Sequence, residues 1–357
     1  MDETPPPRFR HRPPGSNWGD FGPDDQLGRL NLLTPERVLA AMREVREGRR
    51  FCLSLPLDFP GGNALNPRRH PPRRFATHRN GRPNFDFALA EEGGASANLA
   101  DVICDDAVLM ALQYSTQWDS FAHVGALFDA DGDGVPEKVY YNGWRGGEHI
   151  RSRAFSRGIV DWCCAEGVEA GRLGIETMAA AAVQGRGVMI DLASVCGRER
   201  RVVDFALLSR VMDEQRVTVE EGDLVCLWTG FDELLLEQDG RPDRHLVHGS
   251  CATLDGRDAR LLDWITESGL AALISDNYAV EQFPARPPAE GVPGPHPALP
   301  LHHHCLFRLG VPLGELWLLA ELARWLRQAG RNRFLLTAPP LRLPGAVGSP
   351  VTPVATV

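Results

Sequence analysis

Apolar and polar positions divide the chain into short strands and a few amphipathic helices, separated by long polar connections. Thr34-Pro35-Glu36 marks a helix start, with Thr as N-cap and Pro in the first turn. Val38, Leu39, Met42 and Val45 follow at helical spacing until Gly48. Phe51–Leu57 alternates as a strand with one buried face does. Residues 58–104 are rich in Pro, Gly, Arg and Asn and show neither period. A connection of that length points to a lid or a partner's contact surface. Asp106–Leu112 is an apolar run of strand length. Ser156–Cys164, Gly187–Ala193, Leu224–Thr229, Leu270–Ser275 and Arg333–Ala338 read as further strands. Ile175–Val183, Val203–Val211, Arg257–Glu267 and Leu316–Leu326 read as helices; Leu261, Leu262 and Ile265 share one face of the third. Strands and helices alternate irregularly and no internal repeat is visible, so the pattern by itself fixes no fold.

In Phe128-Asp-Ala-Asp-Gly-Asp-Gly-Val-Pro136, the alternate carboxylates Asp129, Asp131 and Asp133 resemble the start of a calcium loop. The twelfth position is Tyr140 rather than the bidentate Glu such loops need. A tight Asp-Gly hairpin accounts for the segment better.

Composition narrows the function classes. With 357 residues, 43 % of them hydrophobic and 24 % charged, the chain can bury a sizeable core. Residues 1–15, rich in Pro and Arg, are expected to be a flexible tail, with 16–357 forming one domain. A formal net charge of −9 argues against nucleic acid as a partner. No apolar run is long enough to span a membrane, and the N-terminus lacks a signal peptide's apolar core, so a cytoplasmic location is expected. The eight Cys, without a CxxC pair, read as small core residues rather than a disulfide framework or a zinc site.

The densest concentration of chemistry is Gln113-Tyr-Ser-Thr-Gln117-Trp-Asp119-Ser-Phe-Ala-His123, which gathers amide, carboxylate and imidazole groups just after the run at Asp106–Leu112. A polar cluster at the end of a strand is a natural site, although ordinary turn and capping residues would read the same way. His123 is the strongest candidate for proton transfer near pH 7, against the alternative of a buried His bonded to backbone. Trp118 and Phe121 flank it as candidates for an apolar substrate pocket, and core packing would use them equally well. A second cluster, His302-His303-His304, follows the Pro-rich segment Ala285–Leu301; surface histidines are the alternative there. His245 and His248 are left unassigned.

The eleven-residue stretch resembles the signature of the metal-dependent cyclase family, which includes bacterial kynurenine formamidases and isatin hydrolases. That signature reads His-x-Gly-Thr-His-x-Asp-x-Pro-x-His. Thr116, Asp119 and His123 keep their places, while Gln113 and Gln117 replace the first two His, Ser115 the Gly and Phe121 the Pro. Asn17–Thr34 and Ala338–Pro353 are similar to the family's opening and closing segments, so the resemblance spans nearly the whole chain. Tyr141-Asn-Gly143 looks like the family strand that follows the Asp-Gly turn.

The resemblance implies a swivelling β/β/α domain, with a central mixed sheet or flattened barrel and surrounding helices. It implies a divalent metal, manganese or zinc, held by Asp119, by a His and Glu twelve residues apart (His303 and Glu315), and by Gln113 and Gln117 in the remaining positions. The run of three His leaves that register open by one residue. Gln is a weak zinc ligand, so the replacements favour an oxygen-loving ion or no metal at all, the amides then serving as hydrogen-bond donors. His123 would be the acid/base group, with Trp118, Phe121 and Thr116 toward a small-molecule substrate. The expected reaction is hydrolysis of a carbon–nitrogen bond in an amide, formamide or small lactam. The alternatives are a metal-free cyclisation or dehydration and a non-catalytic binding protein. A homodimer or homotetramer is expected, by resemblance to family members.

Overall fold

A computed structural model of the chain describes residues 8–152, 167–291 and 294–357. The strand expected at Ser156–Cys164 lies outside the described residues. Nine strands form one mixed sheet: β1 (Arg50–Cys52), β2 (Gln117–Asp119), β3 (Gln184–Asp191), β4 (Leu224–Trp228), β5 (Ala272–Ser275), β6 (Leu313–Glu315), β7 (Arg333–Thr337), β8 (Gly348–Pro350) and β9 (Val354–Thr356). Their order across the sheet is β1-β9-β7-β3-β4-β5-β6-β2-β8. The centre, β3 through β6, is parallel, and β2 is antiparallel to both of its neighbours. This is the α/β fold, a central mixed sheet with surrounding helices, that the family resemblance implied. Strands buried on both faces read as unbroken apolar runs, as Leu224-Val-Cys-Leu-Trp228 does.

Side-chain alternation sorts the strands' residues into two layers. Val188, Ile190, Val225, Leu227, Leu273 and Leu313 face one core, covered by the helices Phe205–Gln215 and Ala259–Glu267. Met189, Cys226, Trp228, Ile274 and Trp118 face the other, covered by Ala320–Ala329 and Ile175–Ala180. The helices start where capping chemistry predicts: Thr34, Asp204 and Asp258 each accept a backbone N–H from the first turn. The Pro35–Met42 helix does not bury the face its spacing suggested, since Leu39 and Met42 are more than half exposed and Ala41 is the residue packed inside.

Several expectations are corrected. Asp106–Leu109 is a mostly exposed strand paired with Arg73–Ala76 in a separate ribbon. The polar cluster instead has its own strand, β2, inside the main sheet. Tyr141–Gly143 is a 3-10 turn; the strand after the Asp-Gly turn is Glu137–Val139, paired with Ala126–Phe128. That turn closes a hairpin, with Asp129 accepting the N–H groups of Gly132, Asp133 and Gly134. Arg145 pairs with both Asp131 and Glu137 beside it. Of the six described cysteines, Cys226, Cys251 and Cys305 are buried and Cys52 and Cys104 are exposed. Among the described residues no helix is long and apolar enough to cross a membrane.

Candidate active site

The period of two along β2 decides what its residues can do. Trp118 points into the second core, where its ring meets Trp317 edge-on at 5.1 Å and its indole N–H donates to the Ala338 carbonyl. Gln117 and Asp119, on either side of it, therefore emerge together on the opposite face. Register then adds Glu315: it sits directly across from Gln117, and Gln117 Nε2 donates to Glu315 Oε2 at 3.0 Å.

The third charged member arrives from the His run, and it is His302. Its Nε2 lies 3.3 Å from Glu315 Oε1. One ligand atom each from Asp119, His302 and Glu315 can be chosen so that all lie within 4.8 Å of one another, and all three residues are buried. His303, the residue expected there, is turned away: its ring packs at 4.8 Å against Phe307, tilted by 45°, and burial beside Arg308 pulls its pKa down to about 4. His304 Nε2 meets Thr266 Oγ1 at 2.9 Å. Successive residues on a helical segment point about 100° apart, so only one of three adjacent His can enter a given site.

Glu281, which sequence reasoning missed, holds that His in place. Its Oε1 accepts both the backbone N–H (2.9 Å) and Nδ1–H (2.8 Å) of His302, and its Oε2 accepts the Leu301 N–H at 3.0 Å. Gly256 makes the approach possible, because a Cβ there would fall 2.2 Å from Glu281 Oε2. Glu281 follows two non-glycine residues in the left-handed region, Ala279 (φ 67°) and Val280 (φ 55°). A β-branched residue there is strained, and such strain gathers where side chains must be aimed. No sequence periodicity marks Glu281, and its only signal is a lone carboxylate after Asn277-Tyr278.

The electrostatics follow from burial. Desolvation raises the pKa of Asp119, opposed by the His123 charge. Burial also pushes Glu315 upward, but the hydrogen bond and charge of His302 outweigh it and leave Glu315 below its usual value. Burial alone would discharge His302, yet its bonds to Glu281 and Glu315 push its pKa up to about 10.

Above this floor opens a cavity of ≈ 650 Å³, lined by Gln113, His123, Tyr278, His302 and Glu315 and by residues 60–69 of the long excursion, among others. His123 is partly exposed, with Nε2 3.9 Å from Asp119 Oδ1 and Nδ1 3.5 Å from Gln113 Nε2. Gln113 fits because position 348 is Gly, where a Cβ would come within 2.5 Å of the amide. Arg69 donates to the Gln113 carbonyl at 2.7 Å. On the far wall, His248 Nε2 contacts the Ala64 carbonyl (3.2 Å) and Nδ1 the Tyr278 hydroxyl (2.7 Å). A carbonyl can only accept, so Nε2 carries a proton; in neutral His248 the Tyr278 hydroxyl would then donate to Nδ1 and keep its oxygen lone pairs as acceptors.

Three candidates for substrate contact do not line the cavity. Trp118 is core, as above. Phe121 is buried against Tyr141 at 5.2 Å. Thr116 is fully buried, accepting the Leu55 N–H and donating to the Leu316 carbonyl, so it ties together the segments flanking β2 and β6.

The donor set fits a divalent cation. Both oxygens of Asp119 and Gln117 Oε1 are buried without a hydrogen-bond partner, facing a carboxylate and an imidazole. Buried acceptors are rarely left unpaired, and an imidazole whose other nitrogen is fixed by a carboxylate is the usual arrangement at metal centres.

The model of the Cyclase family matches residues 53–282. A crystal structure of a novel cyclase is 31 % identical, covers 97 % of this chain and 100 % of that one, and superposes with a TM-score of 0.71. Isatin hydrolase A from Labrenzia aggregata, bound to benzyl benzoate, is 14 % identical over 86 % of this chain and 93 % of that one, with a TM-score of 0.51. Isatin hydrolase A from Ralstonia solanacearum is also 14 % identical, over 90 % and 97 %, with a TM-score of 0.51. At that identity the two hydrolases establish likeness of fold alone. A search of curated proteins found no match. The family match over residues 53–282 and the identity spanning almost the full length together establish that this chain is an enzyme belonging to the Cyclase family.

Proposed function

We propose that the cavity hydrolyses a carbon–nitrogen bond in an amide, formamide or small lactam, with a divalent metal, manganese or zinc, held by Asp119, His302, Glu315 and the amide oxygen of Gln117. The observation that carries this reading is Asp119: a fully buried carboxylate with neither oxygen hydrogen-bonded. A buried charge persists when something pairs with it. When bound, such an ion polarises a carbonyl and acidifies water.

The chain's own groups supply the rest. Glu281 fixes the His302 ring so that Nε2 faces Glu315 and Asp119. The two contacts of His123, at 3.5 and 3.9 Å, are too long to lock its ring. His123 can therefore take a proton from the attacking water at Nε2 and pass it to the departing nitrogen as the carbon–oxygen bond forms and the carbon–nitrogen bond breaks. With His248 neutral, the Tyr278 hydroxyl donates to His248 and its oxygen accepts the substrate's N–H, while residues 60–69 form part of the cavity wall.

The test is elemental analysis of the purified protein, with turnover of formanilide before and after chelation. About one manganese or zinc per chain and chelator-sensitive hydrolysis, both lost in Asp119→Asn, is the expected result. A second reading rests on His302. As an imidazolium between Glu281 and Glu315 it already neutralises part of the site, which suits a metal-free cyclisation or dehydration by proton transfer. Purified protein that carries no manganese or zinc and does not hydrolyse formanilide, with or without added metal, favours that reading and refutes the first.

A further inference from the structure

The cavity's charge is distributed against the composition of the chain. The protein carries a formal net charge of −9. Yet three arginines, Arg68, Arg69 and Arg244, line the cavity, and Glu315 at the floor is the sole carboxylate among its described lining residues. Glu315 is already committed to Gln117 and His302. Arg69 is also engaged, through the Gln113 carbonyl, and its charge acts on Asp119 and Glu315.

Arg68 and Arg244 differ from it. Both are exposed, and neither guanidinium has an ion pair or a hydrogen bond among the described residues. The other exposed arginines of the excursion are not all idle: Arg82, for example, pairs with Glu91. Two unpaired guanidinium groups on one cavity raise its potential and concentrate anions at its entrance. Leu65, Phe283, Leu299, Leu316 and Val347 line the same cavity, in which Arg68 and Arg244 are exposed while Glu315 and His302 are buried.

We infer that Arg68 and Arg244 form an anion-recognition subsite, and that the natural substrate carries a carboxylate or comparable anionic group separated by an apolar body from the carbonyl placed at Glu315 and His302. The inference rests on the proposed amide-directed reading for the inner end of the ligand only. Guanidinium forks suit such oxyanions, which they bind bidentately.

The experiment compares equilibrium binding of 4-formamidobenzoate with that of formanilide, its neutral counterpart, by calorimetry. The parent protein should bind the anion more tightly, and the preference should weaken as salt rises from about 50 to 500 mM. R68Q/R244Q should lose about tenfold in affinity for the anion and leave formanilide within about twofold. An unchanged melting temperature shows that the fold tolerates both substitutions. Equal losses for both ligands, an anion preference that survives in the variant, or no binding of the anion up to about 10 mM would each overturn the subsite. The readout is binding, so absence of hydrolysis with the preference intact counts against the catalytic reading alone.

Discussion

Replacing Glu281 with Gln tests whether the His302 ring is held for a metal or merely packed. The carboxylate makes three contacts: Oε1 takes two N–H groups of His302, and Oε2 takes the Leu301 N–H. An amide keeps one acceptor oxygen. If that oxygen stays with His302, the new NH2 group confronts the Leu301 N–H, donor against donor. If the amide turns over, His302 loses its anchor instead. One buried donor left unpaired costs about 1–3 kcal/mol of folding stability. Loss of the group that orients a ligating imidazole lowers metal affinity by about 10–100-fold, or about 1.4–2.7 kcal/mol. Competition against a chelating dye measures the affinity, and circular dichroism on the same samples confirms folding. A variant that folds and melts slightly lower, yet binds manganese or zinc as tightly as the parent, would refute the argument that Glu281 aims His302 at a metal.

Other outcomes follow from the same geometry. His302→Ala should abolish stoichiometric metal binding, whereas His303→Ala, removing a ring packed against Phe307, should spare it; elemental analysis of both proteins distinguishes them. In metal-free protein, His302 has a folded pKa raised to about 10, so its contribution to stability is complete below about pH 6.5 and is lost as pH rises through 10. Melting curves from pH 6 to 10.5 should show that decline, and saturating metal should flatten it. Asp276→Ala strands the N–H groups of Thr229 and Phe231 and the Thr229 hydroxyl in a fully buried position. With about 1–3 kcal/mol for each buried donor left unpaired, it should cost about 3 kcal/mol or more in urea unfolding. Gln117→His restores a nitrogen ligand where the amide oxygen lies unpartnered, and should raise zinc affinity relative to manganese in a competition titration.

The sequence alone carried the local rules. Leu224–Trp228 is unbroken apolar because a central parallel strand is buried on both faces, and Thr34 marked a helix start through its own side chain, whereas the caps at Asp204 and Asp258 emerged only with the structure. The identities of Gln113, Gln117, Asp119 and His123 were legible because eleven consecutive residues concentrate them. Which of those residues face one another was not legible, because that depends on strand neighbours distant in the chain. Pairing of β2 with β6 put Glu315 across from Gln117, and the same alternation sent Trp118 to the opposite core. The choice of His302 over His303 depended on the phase of a helical turn and on Glu281, twenty-one residues away in sequence. The cavity wall of Tyr278, His248, Arg68 and Arg244 carries no local signature, since each residue is ordinary in its own segment. Only the folded chain brings those segments together around the buried carboxylates.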